Sequence, residues 1–396
     1  MSWPDDLRRT FLRVTSRVTP LGRAVLAIGI VAWVIAAVSG WEEFAMVAGV
    51  CLVGVLLSFV FTFGRTQLNV RTVLNPKRVV AGDTAVAEFH VRNQARRRML
   101  PVRLEVPVGA AVATVHVPTL ASEETFEEVL IIPTQRRGVL QIGPTRSVRG
   151  DPLTMMRREV AWADAEELFV HPRTSSLQGI SSGWLRDLDG QPTNDRSPSD
   201  VAFHTLREYV PGDDRRHVHW RTSARLNKLM VRQFIDNRRS HLGIVIDTNP
   251  GSYNGEGEFE LAVSMAASLG LRAITEGQEI SCVAGASGVA SHSGQNLLDG
   301  LARVELGVPT ISLQETAMRA APLLSSASIV ALVTGSTLAA SDLPLAGRRF
   351  GVDVRMLALR ASLDAEPSLV RSPQMITLVA NSLESFMRVM WTVSAA

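Results

Sequence analysis

The chain has 396 residues, 46% of them hydrophobic, and a mean hydropathy of +0.14. That length accommodates two or three domains, and so much apolar character exceeds what one soluble core usually uses. The net charge of +3, carried almost wholly by arginine because lysine occurs only at Lys77 and Lys228, is too modest to mark a nucleic-acid-binding protein, and Cys51 and Cys282 alone supply no disulfide framework and no metal-ligand spacing.

The apolar excess is local. Leu21 to Trp41 reads "LGRAVLAIGIVAWVIAAVSGW" and Phe44 to Gly64 reads "FAMVAGVCLVGVLLSFVFTFG", and each matches the roughly 20 residues that cross a bilayer as helix. A buried helical hairpin would need protein on every side, and a cleaved signal peptide would not be followed at once by a second membrane-length run. The expectation is a two-helix transmembrane hairpin, helices about 21–41 and 44–64, within an N-terminal segment of residues 1–65. Arg8, Arg9, Arg13 and Arg17 precede the first span and Arg23 lies at its very start, Glu42 and Glu43 sit in the connection, and Arg65, Arg71, Lys77 and Arg78 follow the second. The positive-inside rule then places both termini in the cytoplasm of a multi-pass protein of the cell membrane, with the lipid bilayer as its first partner.

From residue 66 to 173 the runs shorten and alternate. "QLNVRTV", "VVAGDTAVAEFHVRNQ", "MLPVRLEVP", "AVATVHVP", "TFEEVLIIP" and "GVLQIGPTRSVRGDP" alternate apolar and polar residues between Gly, Pro and Asn, which predicts an antiparallel β-sandwich. Residues 174–201 are rich in Ser, Gly, Pro and Asp and read as a linker. Residues 202–396 then carry "LGIVIDTN", "FELAVSMAASLGLRAITEG", "EISCVAG", "NLLDGLARVE", "SASIVALVTG" and "VDVRMLAL". Apolar strands alternating with helix-period segments predict an α/β domain with a mainly parallel sheet, in which Asp247 and Thr334 emerge at the carboxyl ends of strands, where such sheets bind ligands.

Between linker and first parallel strand lies "REYVPGDDRRHVHWRTSAR", Arg207 to Arg225. Three chemistries compete for it. In a hydrolase, His217 or His219 would be the base, Asp213 or Asp214 would orient it and Ser223 would attack, which needs nucleophile and base within hydrogen-bond reach, and nothing in the spacing guarantees that. A nucleic-acid surface would use Arg207, Arg215, Arg216, Arg221, Arg225 and Arg232, yet Glu208, Asp213, Asp214 and Asp236 interrupt any one-sided phosphate track. The third reading is structural. Pro211-Gly212 turns the chain, Asp213 or Asp214 caps a helix, Val218 and Trp220 pack that helix on the sheet, and the remaining arginines meet an acidic partner.

Arg207, Tyr209, Pro211, Gly212, Asp213, Asp214, Arg216, Trp220, Ser223, Ala224 and Arg225 follow the pattern Arg-x-Tyr-x-Pro-Gly-Asp-Asp, then Arg, Trp and Ser-Ala-Arg. On these residues, and on "RRGVLQIGPTRSVRGDPLTMMRR" at Arg136 to Arg158, the chain resembles the bacterial family catalogued as domain of unknown function fifty-eight. The resemblance covers almost the whole chain. It implies a membrane hairpin, a strand-rich middle and a C-terminal von Willebrand factor A-like domain, and it implies association with MoxR-type AAA+ ATPases and transglutaminase-like membrane proteins. Metal-binding A domains hold a divalent cation through Asp-x-Ser-x-Ser and distant Thr and Asp residues. Here Asp247 and Thr334 match, but Asn249 and Gly251 replace the serines and the second carboxylate is missing, so no metal and no cofactor are expected. The expected fold class is therefore multidomain α+β, and the expected function is a non-enzymatic, chaperone-like membrane adaptor or assembly factor. A hydrolase centred on Arg207 to Arg225 is the alternative.

Overall fold

The computed structural model describes residues 18–62, 67–151, 153–177, 201–210, 218–236, 241–308 and 310–394. They fall into two units, residues 1–171 and 172–396, each taken by itself below.

In the first unit, Pro20 opens α1 (Pro20–Ser39), where its fixed φ and missing N–H are harmless, and the Thr19 hydroxyl oxygen caps it by accepting from the Gly22 amide at 3.1 Å. Gly40, left-handed at φ 72°, ends the helix by donating to the Ala36 carbonyl, and α2 (Glu42–Thr62) starts two residues later. The helices thus begin one to two residues before the expected spans. Glu42 and Glu43 lie in the first turn of α2 rather than in the connection, where their charge complements the helix dipole. Both helices are long and apolar enough to cross a membrane, and Val31, Trp33, Val38, Met46 and Val50 face outward. A Cβ at Gly29 would lie 3.0 Å from the Cβ of Cys51, so a small residue there sets how closely the two helices approach.

The strands that follow are β1 (Leu68–Leu74), β2 (Arg78–Val80), β3 (Thr84–Asn93), β4 (Val102–Val108), β5 (Ala111–Val117), β6 (Thr125–Pro133), β7 (Gly138–Ile142), β8 (Thr145–Gly150), β9 (Arg157–Ala163) and β10 (Glu166–His171). They form an antiparallel sheet β1-β3-β6 and a larger sheet in the order β2-β10-β7-β4-β8-β9, with β5 on β4. Period-two burial explains the layering: Ala85, Ala87, Phe89 and Val91 of β3 point inward and share one core with Leu104 and Leu168 of the larger sheet. Among the described residues the arrangement departs from purely antiparallel pairing where β2 runs parallel to β10. Strands β9 and β10, which the sequence reading did not separate, complete the larger sheet.

In the second unit β11 (Val201–Glu208) pairs antiparallel with β12 (Met230–Asp236), and α3 (Trp220–Leu226) lies between them in sequence. The main sheet contains β13 (His241–Ile246), β14 (Glu279–Ala284), β15 (Ser287–Val289), β16 (Ile329–Thr334), β17 (Arg355–Ala361), β18 (Ser368–Arg371) and β19 (Met375–Ala380). Its order is β15-β14-β13-β16-β17-β19-β18, parallel from β14 to β19 with an antiparallel strand at each edge. Helices α4 (Glu256–Thr275), α5 (Gly294–Ala302) and α8 (Leu383–Ser394) cover one face through Phe259, Leu297 and Phe386. The other face is covered by α6 (Leu313–Ala320) and α7 (Asp342–Gly347) through Leu313, Ala317 and Leu343. Burial on both faces is why β13 and β16 are buried at every residue and read as unbroken apolar runs. The start of the expected linker belongs to this unit: Leu177 is buried in its core and the Ser175 amide donates to the Ser268 hydroxyl at 2.9 Å. Residues 178–200 lie outside the described residues.

Candidate functional site

Strand order reverses between β13 and β16, and the crevice at such a switch point is where doubly wound sheets hold ligands. Register puts Ile246 beside Val333, so Asp247 and Thr334 leave neighbouring strands together, as expected. The Thr334 hydroxyl donates to Asp247 Oδ2 at 2.9 Å, the Asn249 amide donates to Oδ1 at 2.9 Å, and Ser252 adds a further side-chain hydrogen bond. The Tyr253 hydroxyl reaches the Asp247 carbonyl at 2.5 Å. Asp247 is wholly buried, and that burial outweighs the hydrogen bonds and raises its pKa above the ordinary 3.8.

Asn249 and Gly251 stand where hydroxyl ligands were sought, and their role is local. The Asn249 side-chain oxygen accepts from the Gly251 amide at 3.0 Å and caps a 3₁₀ turn, Pro250–Ser252. That turn closes over the strand ends. A Cβ on Gly335 would overlap the Ser252 carbonyl oxygen and lie 2.8 Å from Tyr253 Cα, so the loop after β13 sits directly on the loop after β16.

A second carboxylate, absent from the sequence reading, lies beside this loop. Glu258 comes from the first turn of α4 and is 1% exposed. Its Oε2 accepts from the Asn254 amide at 2.9 Å, the Ser336 amide at 3.1 Å and the Ser336 hydroxyl at 2.9 Å, and its Oε1 accepts from the Leu363 amide at 3.4 Å. Burial opposes its ionisation, but these donors prevail and hold its pKa below the ordinary 4.5. One side chain thereby ties together the loops after β13, β16 and β17. No cluster of three or more His, Cys, Asp or Glu side chains suited to a metal ion occurs among the described residues.

The signature segment is built differently from the expectation. Val218 bridges Val231, and the His219 amide donates to the Met230 carbonyl at 2.8 Å, so the backbone before α3 is extended along β12 and the helix starts only at Trp220. The cap is His219, whose Nδ1 accepts from the Thr222 amide at 3.2 Å, in place of Asp213 or Asp214. Val218 is buried as expected, but Trp220 is 67% exposed and does not pack the helix down. Tyr209 is half-buried and its amide donates to the Leu229 carbonyl at 2.8 Å, while Arg207 lies on β11 opposite Val231.

Ser223 is buried, accepts from the Met230 amide at 2.8 Å and donates to the His219 carbonyl at 3.1 Å. Both hydrogen-bonding directions of its hydroxyl are thus used in seating α3 against β12. Ala224 and Arg225 face outward with Arg221. Pro211, Gly212, Asp213, Asp214, Arg216 and His217 lie outside the described residues. So does Gly179 to Gly183, "GISSG", a Gly-x-Ser-x-Gly spacing that follows coil at Pro172 to Leu177, whereas that motif acts at a strand-to-helix turn.

Residues 205–295 match the family model described as Protein of unknown function DUF58. The match supports that family. It spans β12, β13 and α4, and so includes both Ser223 and Asp247. No curated protein matches the chain. Among solved structures, the CARDB domain of a Pyrococcus furiosus protein is 17% identical over 28% of this chain and 96% of that one, with a TM-score of 0.21. A β-glucosidase from Listeria innocua is 14% identical over 28% of this chain and 17% of that one, with a TM-score of 0.19. At these scores neither likeness bears on function.

Proposed function

We propose that this protein is a membrane-anchored adaptor or assembly factor of the bacterial cell membrane. It crosses the bilayer through α1 and α2 with both termini cytoplasmic, and its C-terminal unit is a von Willebrand factor A-like partner-binding domain. The observation that carries the reading is the division of labour on α3. Ser223 and His219, two of the groups a hydrolase could use, are committed to hydrogen bonds that hold the helix, while Trp220, Arg221, Arg225 and Leu226 are exposed. Tryptophan and arginine are the residue types that dominate binding energy in protein interfaces.

The partner class is a MoxR-type AAA+ ATPase, which the family resemblance implies, with a transglutaminase-like membrane protein as a further member of the assembly. The test uses the full chain in detergent and capture of a purified MoxR-type ATPase. Trp220→Ala should leave thermal unfolding unchanged and reduce capture at least tenfold, and Arg221→Ala should weaken it more at low than at high salt. Full capture by Trp220→Ala would sink this role for α3. Turnover of an ester, peptide or phosphate substrate that Ser223→Ala abolishes without loss of stability would replace the adaptor with the hydrolase.

A further inference from the structure

The loop from Asp151 to Met156 joins β8 to β9 within the first unit. Its contacts lie on α1 and α2. The Met155 carbonyl accepts from the Thr19 amide at 3.0 Å and the Thr154 carbonyl accepts from the Thr19 hydroxyl at 2.7 Å. A Cβ on Gly22 would overlap the Met155 carbonyl oxygen, so the loop backbone lies flush on the first turn of α1. On α2, Ser58 donates to Asp151 Oδ2 at 2.9 Å, and the Met155 methyl lies 3.7 Å from the position of a Cβ on Gly54.

Helix geometry fixes the depth of these contacts. At 1.5 Å per residue, Ser58 and Gly54 lie roughly 6 and 12 Å inside the Thr62 end of α2. Glu42 and Glu43 hold the other end out of the hydrocarbon, and the roughly 20 residues needed to cross from there reach past Thr62. Whatever touches Ser58 and Gly54 is therefore at the level of lipid.

The loop's hydrogen bonding is that of a segment built for a place without water. The Leu153 amide donates to Asp151 Oδ2 at 3.1 Å, the Met155 amide to the same oxygen at 3.2 Å, and the Met156 amide to Oδ1 at 2.6 Å. The Thr154 amide donates to the Asp151 carbonyl at 3.0 Å. Every backbone N–H from residue 153 to 156 is thus satisfied within the protein, the condition that hydrocarbon imposes on irregular backbone. On the outside of this self-satisfied turn stands Leu153, 54% exposed.

We propose that the Asp151–Met156 loop is a lipid-seated foot: Leu153 inserts into the interfacial layer of the leaflet beside Thr19, so that the β-sandwich stands on the membrane surface. This rests on the reading that α1 and α2 span the bilayer. The test is the full chain with Cys51 replaced by alanine, reconstituted in vesicles of phosphatidylethanolamine and phosphatidylglycerol. Single cysteines at Leu153, at the outward-facing Val129 of β6 and at Val50 in mid-α2 carry an environment-sensitive fluorophore; Cys282 is fully buried, with its thiol pushed up to about 12, and does not compete.

The Leu153 label should be quenched several-fold more by lipid with a nitroxide near the headgroup than by one deep in the chain. The Val50 label should show the reverse order and the Val129 label neither. A Leu153 label that behaves like the one at Val129, while Val50 is quenched from deep in the chain, overturns the foot and leaves the membrane span intact. Loss of deep quenching at Val50 overturns both.

Discussion

Two buried carboxylates, one in each unit, solve the same problem with different neighbours. Asp151 gathers three amides of its own turn and the hydroxyl of Ser58 on α2, and Glu258 gathers two amides and the amide and hydroxyl of Ser336, from loops that follow three different strands. In both, burial disfavours charge and the donors overcome it, so both pKa values are lowered. Asp247, one loop from Glu258, has fewer donors and deeper burial, and its pKa goes up. A buried acid is therefore not by itself a sign of chemistry. Counting the donors around it separates a device that fixes loops from a group held against its charge.

The largest test of this comparison removes the close approach that Glu258 secures. Gly335→Ala drives a methyl into the Ser252–Tyr253 backbone, and overpacking of this kind should cost about 3 kcal/mol. Denaturant unfolding of the second unit should shift accordingly, while Val352→Ala on a fully exposed side chain should not move it.

Next comes the pair Glu258→Gln and Asp247→Asn, whose pH dependences should have opposite signs. Glu258, lowered in the folded state, contributes stability that is present above its unfolded value of 4.5 and is lost as pH falls through the folded value. Its replacement should cost about 2 kcal/mol at neutral pH, the range of a charge-assisted hydrogen bond, and the difference from wild type should shrink in acid. Asp247 is raised, so its contribution is fully present below 3.8 and is lost as pH rises through the folded value. The cost of Asp247→Asn should therefore fall as pH rises. Parallel pH profiles for the two variants would break the distinction between them.

Asp151→Asn sharpens the comparison from the other unit. It should cost about 1.5 kcal/mol, at the lower end of the same range, and speed amide exchange at Leu153, Met155 and Met156 while leaving β3 protected. The smallest effect is expected for added cation. Millimolar Mg²⁺ or Ca²⁺ should leave the Tm unchanged, because Thr334, Asn249 and Ser252 already occupy the Asp247 carboxylate; a rise that disappears in Asp247→Ala would show a working cation site.

What was legible in the sequence followed from local pattern. Two long apolar runs, charged only at Arg23, gave α1 and α2 to within two residues, and the run before Asp247 announced a strand buried on both faces. Asp247 and Thr334 were found together because each ends such a run and parallel register aligns the ends. Glu258 was not, since Asn254 is its one local partner and Ser336 and Leu363 are brought to it only by the sheet. Asp151 was not singled out for the same reason: Ser58, 93 positions away, cannot be read from its surroundings. The cap of α3 was misplaced because pairing of Val218 and His219 with β12 outweighs the local preference for an aspartate cap. The hairpin β18–β19 and helix α8 escaped because "PSLVRSPQMITLVANSLESFMRVMW" mixes both periods with no clean boundary.

Helix α3 has only seven residues, too few to persist in water on their own. It exists because His219 closes its first turn and Ser223 fastens its middle to β12. A partner that meets Trp220 therefore does not have to wind a disordered segment into shape before contact. The ordering entropy was spent when the chain folded, which leaves association faster and less dependent on temperature than recognition of a flexible arginine-rich strand would be.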